Sequence, residues 1–259
     1  MTYSPVEMMS VTAARALQNQ DVCFVGIGLP SAACNLARLT HAPEIKLIYE
    51  SGTLRTRPDV LPLSIGDGEL CETALTTVSV PEIFRYWLQG GRISVGFLGG
   101  AQVDRFGNLN STVIGDYRKP KVRLPGSGGA TEIATSCGQV FIVMAQGPRS
   151  FVKHVDFLTT LGHGRTGRER RELGIATKGP VLLVTDLCVM RPEEETHEMI
   201  VRSLHPGTTR AQVSEATGWD LRFAEEVTET TPPSAEELEV LRELHARTAR
   251  AHGAAGGGE

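Results

Sequence analysis

Aromatic side chains are scarce in this chain: two tryptophans, four tyrosines and eight phenylalanines make up 5% of it. That scarcity argues against a row of stacking platforms for single-stranded nucleic acid. A basic excess is missing as well. The 26 lysines and arginines face 30 acids, giving a net charge of -4, so no cationic field exists to hold a phosphate backbone. No apolar stretch approaches the roughly 20 residues of a membrane-spanning helix. Residues 1–19 read as an amphipathic helix rather than the apolar centre of a secretory leader. The cysteines, Cys23, Cys34, Cys71, Cys137 and Cys188, are far apart with no CxxC pair, and no Cys or His cluster has zinc spacing. The expectation is a cytoplasmic chain with reduced, buried thiols, no metal, no nucleic acid and no membrane association.

The 259 residues are 41% hydrophobic and 22% charged, ordinary values for a globular chain with a substantial core. One domain is expected over 1–250, with a small, glycine-rich tail over 251–259 expected to be disordered. Ser4-Pro5-Val6-Glu7 forms a capping box followed by a helical stripe of Met8, Val11, Ala14 and Leu17. Short strands are expected at 21–25, 45–49, 93–98, 139–145 and 180–185, and helices at 31–39, 79–90 and up to Ser136. Residues 54–77, rich in Pro, Gly and Asp, read as loop. From His205 onward the pattern reads as helical, with caps at Thr209 to Gln212 and Ser234 to Glu237. Alternating buried strands and helices predict an α/β fold: an open, mostly parallel sheet flanked by helices, with a C-terminal helical segment.

Ligands of such sheets collect beyond the carboxyl ends of the strands. Glycine turns stand at positions of that kind: Gly26-Ile27-Gly28, Glu50-Ser51-Gly52, Gly99-Gly100 and Gly115-Asp116. Glu50 is the notable one, a carboxylate delivered by the apolar run 45–49 and followed at once by a glycine-permitted turn. There it can serve as nucleophile, base or ligand. The GxG at Gly26 is a poor match to a dinucleotide fingerprint, since a third glycine is absent and Pro30 interrupts the loop; Glu50, about 24 residues on, is the one feature in its favour.

Six motifs in order carry a resemblance: Gly26-Ile27-Gly28-Leu29-Pro30, Glu50-Ser51-Gly52, 99–104 (GGAQVD), 107–112 (GNLNST), Gly115-Asp116-Tyr117 and Gly126-Ser127-Gly128-Gly129-Ala130. With His205-Pro206-Gly207 and 216–220 (ATGWD) near the C-terminus, the chain resembles the β subunit of family I coenzyme A transferases, glutaconate CoA-transferase above all. The resemblance implies an isomerase-like sheet and a ping-pong mechanism in which Glu50 carries CoA as a thioester. Coenzyme A is then substrate and covalent intermediate, and no permanently bound cofactor is expected. It implies a partner α subunit, with acyl-CoA and a carboxylic acid as substrates. The oxyanion and CoA or substrate contacts would fall to Gly26, Gly28, Gly52, Gly99, Gly100, Gln102, Gly126, Gly128, Gly129 and Ala130, the amides of Gly128 to Ala130 foremost.

Arg118, Lys119, Lys121 and Arg123 could hold CoA phosphates or form a solvated loop, and Arg165, Arg168, Arg170 and Arg171 are expected at a surface or subunit contact. His154 lies in an alternating pattern and is given no catalytic role. Two other functions remain open. Relatives with this fold include ring-opening hydrolases and decarboxylases, which tend to replace the glutamate that this chain retains. A sugar-phosphate sensor on a related sheet is disfavoured, since no helix-turn-helix or basic arm precedes the sheet.

Overall fold

The computed structural model describes residues 2–255. They divide into two compact units, one built from the chain up to Ser94 and from Pro233 on, the other from Val95–Pro232.

In the first unit, helix α1 (Pro5–Arg15) begins at Ser4, whose hydroxyl accepts from the Glu7 N–H while the Glu7 carboxylate accepts from the Ser4 N–H. Strand β1 (Val22–Phe24), helix α2 (Leu29–Leu39), strand β2 (Lys46–Ile48) and strand β3 (Thr53–Thr56) follow. Short helix α3 (Gly68–Glu72) and strand β4 (Thr76–Thr77) come next. Then α4 (Val80–Glu82), with its capping box at Ser79, runs into a π-helical turn over Ile83–Leu88. Strand order here is β1-β2-β3-β4, the first pair parallel and the other two antiparallel. The stretch 54–77 is therefore not all loop: most of β3, all of α3 and all of β4 lie in it. Its strand residues are too few for periodicity to register, and pairing with β2 supplies their order.

The C-terminal helix (Ala235–Ala255) packs against α1 and α2. Its Leu238, Leu241 and Leu244 are buried, each contributing roughly 1.5–3 kcal/mol of burial free energy. Glu237 pairs with Arg15 and Arg242 with Glu7, both at 2.6 Å. The helix reaches Ala255, so residues 251–255 of the expected disordered tail are helical; 256–259 lie outside the described residues.

In the second unit, β5 (Val95–Leu98) is followed by two small ladders, β6 (Gln102–Val103) with β7 (Leu109–Asn110), and β8 (Val113–Gly115) with β9 (Pro120–Arg123). Helix α5 (Ala130–Ser136), strand β10 (Gln139–Val143), helix α6 (Glu169–Glu172) and strands β11 (Pro180–Val184), β12 (Cys188–Pro192) and β13 (Met199–Leu204) come next. Helix α7 (Arg210–Glu215) and strand β14 (Phe223–Glu229) complete it. Its sheet runs β14-β13-β12-β11-β10-β5, with β5, β10 and β11 parallel and β12 antiparallel to both neighbours. The fold class is α/β as expected, with parallel strands at the core of a mixed sheet. The helical reading beyond His205 is corrected at β14, whose acidic sequence FAEEVTE suits a solvated face yet pairs with β13.

Among the described residues no helix is long and apolar enough to cross a membrane, and no group of three or more His, Cys, Asp or Glu could hold a metal ion. No disulfide joins the cysteines among the described residues; Cys71 is exposed, against the expectation of burial, and the other four are buried.

Candidate active site

Strands β1 and β2 lie side by side in parallel, Phe24 opposite Ile48, and the Val25 N–H reaches the Ile48 carbonyl at 2.9 Å. The turn Gly26–Gly28 and the Glu50 turn therefore leave adjacent strands at the same carboxyl edge. Past β2 the Gly52 N–H donates to the Tyr49 carbonyl at 3.0 Å, and the Tyr49 N–H to the Thr53 carbonyl at 3.2 Å. Glu50 and Ser51 thus occupy the two central positions of a β-turn joining β2 to β3. Gly52 closes the turn with φ 106°, and a Cβ there would collide with the Val78 carbonyl oxygen.

The Glu50 side chain is half-buried, and burial alone raises its pKa above the ordinary carboxylate value. No hydrogen bond or ion pair engages its carboxylate among the described residues. No donor within this unit offsets the effect of burial among the described residues. The next hydroxyls along the chain, Ser51 Oγ and Thr53 Oγ1, are buried without a hydrogen-bond partner.

A line of buried polar groups runs beneath this turn, and the sequence reading missed it. The Tyr49 hydroxyl and Ser31 Oγ are 2.8 Å apart, and both residues are fully buried. Asn35 Nδ2 donates to the Ser31 carbonyl at 2.9 Å, and Arg38 Nε to Asn35 Oδ1 at 3.1 Å. Arg38 Nη2 then reaches the Pro58 carbonyl at 2.6 Å. Ser31, Asn35 and Arg38 recur at helical spacing along α2, a polar stripe inside an otherwise apolar helix. That stripe was the signal available in the sequence. Burial raises the Tyr49 phenol pKa and lowers that of the Arg38 guanidinium, mainly by desolvation.

Helix α2 starts on Gly28, at φ 79°, with no side-chain cap and open space where a Cβ would stand. The N–H groups of Gly26 and Gly28 take no backbone partner among the described residues. That of Gly52 is spent on the turn itself.

In the second unit, Gly99 and Gly100 follow β5 and lead into the β6–β7 ladder, where the Ala101 N–H donates to the Asn110 carbonyl at 2.8 Å. The adjoining Ser111 carbonyl accepts from the Gly126 N–H at 2.8 Å, so these two glycine turns meet around Asn110–Ser111. Gln102 is buried, and its Oε1 accepts from Asn110 Nδ2 at 2.7 Å and the Asp156 N–H at 2.9 Å. That oxygen is committed to the fold. The Ala130 N–H is spent on the Ser127 carbonyl at 2.8 Å. Of the amides named from the sequence on this segment, only those of Gly128 and Gly129 carry no backbone partner among the described residues.

The basic residues separate by environment. Arg118, Lys119, Lys121 and Arg123 stand exposed on or beside the β8–β9 hairpin, where Asp116 Oδ1 accepts the Arg118 and Lys119 amides. Arg123 lies 4.7 Å over the Tyr117 ring. Arg170 corrects the expectation of a surface role: it is 5% exposed. Its guanidinium donates to the carbonyls of Leu161, Gly162, Ala134 and Thr177 and to Thr177 Oγ1. Burial lowers its pKa to about 10, so it stays cationic at neutral pH. A cavity of about 810 Å³ beside it is lined by His163, Arg168, Arg171, Lys178 and His197 among others. None of the glycine-turn residues borders it.

Comparison with known proteins matches residues 6–216 to the family described as Coenzyme A transferase. The chain is 64% identical over 257 residues to a 3-oxoadipate CoA-transferase subunit of Pseudomonas knackmussii, covering 99% of each. It is 37% identical over 249 residues to a glutaconate CoA-transferase subunit of Acidaminococcus fermentans, covering 93% of this chain and 92% of that one. The crystal structure of glutaconate CoA-transferase from Acidaminococcus fermentans superposes with a TM-score of 0.87 at 33% identity, covering 93% of this chain and 94% of that one.

Proposed function

The chain belongs to the coenzyme A transferase family, and on that premise we propose that it is the β-type subunit of a heteromeric enzyme moving CoA between an acyl-CoA and a carboxylic acid through Glu50. The observation that carries this reading is the placement of Glu50: central in a tight turn at the carboxyl edge of β2, half-buried, its carboxylate free of internal partners. An ion-paired carboxylate would be a poor nucleophile; one raised in basicity by burial and left unpaired is a better one.

The Glu50 carboxylate attacks the thioester carbonyl, the C–S bond breaks, and CoA leaves as thiolate with a mixed anhydride on Glu50. The thiolate then attacks the glutamyl carbonyl, forming the Glu50–CoA thioester and releasing the first acid. A second carboxylate attacks that thioester and the two steps run in reverse. The overall exchange breaks one CoA thioester and makes another, so it needs no ATP. Each addition passes through an oxyanion, for which the uncommitted N–H group of Gly28, at the same strand edge as Glu50, is the donor supported by the hydrogen-bond pattern.

Water must be kept from the acyl-enzyme, and a partner subunit supplies the cover. Leu75 and Val80, 68% and 47% exposed, flank strand β4, which pairs with the strand leaving the Glu50 turn. Apolar exposure there suits burial against a second chain. The proposed acid is 3-oxoadipate, from the name of the relative at 64% identity.

The test is to purify the chain with the subunit that copurifies, incubate with 3-oxoadipyl-CoA, trap thioesters with borohydride and read the Glu50 peptide by mass. Reduction at Glu50, with turnover requiring an added acid (acetate, succinate and glutaconate being compared), is expected. Transfer at full rate with an unmodified Glu50 peptide overturns the mechanism.

A further inference from the structure

We propose that Tyr49 and Ser31 are positioning residues for Glu50, their hydroxyl pair fixing the turn that carries the carboxylate against the first turn of α2; this rests on Glu50 as the covalent carrier. Glu50 has no side-chain partner of its own, so its position is inherited through the backbone from its neighbours. On one side that neighbour is Tyr49, fully buried and bonded at 2.8 Å to Ser31.

Packing alone does not account for the choice of residues. A phenylalanine at 49 and an alanine at 31 would fill much the same space without burying two hydroxyls. Those hydroxyls instead bond each other, and the Ser31 carbonyl takes up a line of hydrogen bonds that continues through Asn35 and Arg38 to the Pro58 carbonyl, just beyond β3. The line therefore grips the hairpin on both sides, at the residue before the turn and at the segment after its second strand. It also couples the turn to α2, whose leading glycine offers an unpaired amide at the same strand edge. Buried hydrogen bonds of this kind admit fewer alternative arrangements than an apolar contact. Misplacement of a reacting group by about 1 Å can cost on the order of a hundredfold in rate.

The test uses Tyr49→Phe, Ser31→Ala and the double variant, each assembled with the partner subunit, with 3-oxoadipyl-CoA as donor and succinate as acceptor. Active sites are titrated by the borohydride-trapped adduct, so that kcat is expressed per competent site. A purely structural role would lower the number of competent sites and leave the rate of each unchanged. The expected result is a fall in kcat per site of about tenfold or more for each single variant, with KM for the thioester within about twofold. The double variant should be no slower than the worse single one, since both remove the same bond. A kcat per site within about twofold of the parent in both single variants overturns the proposal. Glu50→Gln, measured alongside, separates the two readings. If it is inactive while Tyr49→Phe and Ser31→Ala are unimpaired, only the positioning role fails; if it retains transfer, the covalent role fails and the positioning role with it.

Discussion

The Val78 N–H donates to the Gly52 carbonyl at 2.9 Å, and the Val78 carbonyl oxygen fills the space that a Cβ on Gly52 would need. The two contacts clamp the residue that closes the Glu50 turn between its own hairpin and the segment following β4. Gly52 is required twice over, for its φ of 106° and for the approach of Val78. Its N–H is also spent on the turn, which removes it from the oxyanion donors expected from sequence and gives it a role in shaping the loop.

Gly52→Ala should therefore destabilise the protein by at least about 2 kcal/mol, the left-handed backbone cost adding to displacement of Val78. Gly28→Ala meets the backbone cost alone, because nothing stands within contact of its Cβ, and should lose only about 1–2 kcal/mol. Urea unfolding of the two variants checks the difference, and equal losses would contradict the clamp.

Glu50 acts only when ionised, and burial holds its pKa above the ordinary carboxylate value of 4.5. The rate of adduct formation should fall as pH drops through a midpoint higher than that value, the protonated fraction being unable to attack. A rate profile in single turnovers with 3-oxoadipyl-CoA measures it. Glu50→Gln, freshly purified, should lose activity by on the order of a thousandfold or more. A midpoint below 4.5 would mean that donors contributed by the partner or the substrate outweigh burial.

Local chemistry was the legible part of this fold. The capping boxes at Ser4 and Thr209 and the Ser234–Glu237 cap all form as written, because each needs only residues three apart. The glycine turns after β1, β2 and β5 were likewise visible, and with them the position of Glu50. What stayed hidden depends on distant partners. Strand β14 reads as a solvated helix until β13 pairs with it, and most of β3, with all of β4, lies inside a stretch whose composition says loop. Within the site, no spacing rule tells which glycine amides the fold itself consumes, and those of Gly52, Gly126 and Ala130 are consumed. Arg170 was misread for a related reason: four arginines in seven residues look solvated, and only the tertiary fold brings carbonyls from three segments around one of them.

Those carbonyls make a strong prediction. Arg170→Met removes the guanidinium and leaves buried acceptors at Ala134 and Gly162, and part-buried ones at Leu161 and Thr177, without that donor. The loss should reach about 3 kcal/mol or more, since each unsatisfied buried group costs roughly 1–3 kcal/mol. The exposed neighbours Arg168 and Arg171, replaced by alanine, should stay within about 0.5 kcal/mol of the parent. Denaturant midpoints of the three variants test the contrast, and similar values for all of them would return Arg170 to the surface class.

The stacked pair His163 and His197, ring centroids 4.9 Å apart, gives the stability a pH dependence of definite sign. His163 is 4% exposed, and burial lowers its pKa from 6.5 to about 4, while its Nε2–H donates to the Pro180 carbonyl at 2.8 Å. The folded chain keeps the ring neutral at pH values where the unfolded chain takes up a proton. Stability is therefore undiminished above 6.5 and is lost as pH falls from there toward 4. The fall from 6.5 to about 4 corresponds to roughly 3.5 kcal/mol, at about 1.4 kcal/mol for each tenfold change in proton affinity. His163→Gln keeps a donor for Pro180 and removes the titration. Unfolding free energies measured across this interval should fall less steeply in the variant, by up to one proton's worth of slope. His205, lowered in the same direction by its own burial, accounts for part of the slope that persists. Parallel profiles for parent and variant would mean that the ring is already charged in the folded chain, and the stack with His197 would then have to hold a cation against the neighbouring Arg170.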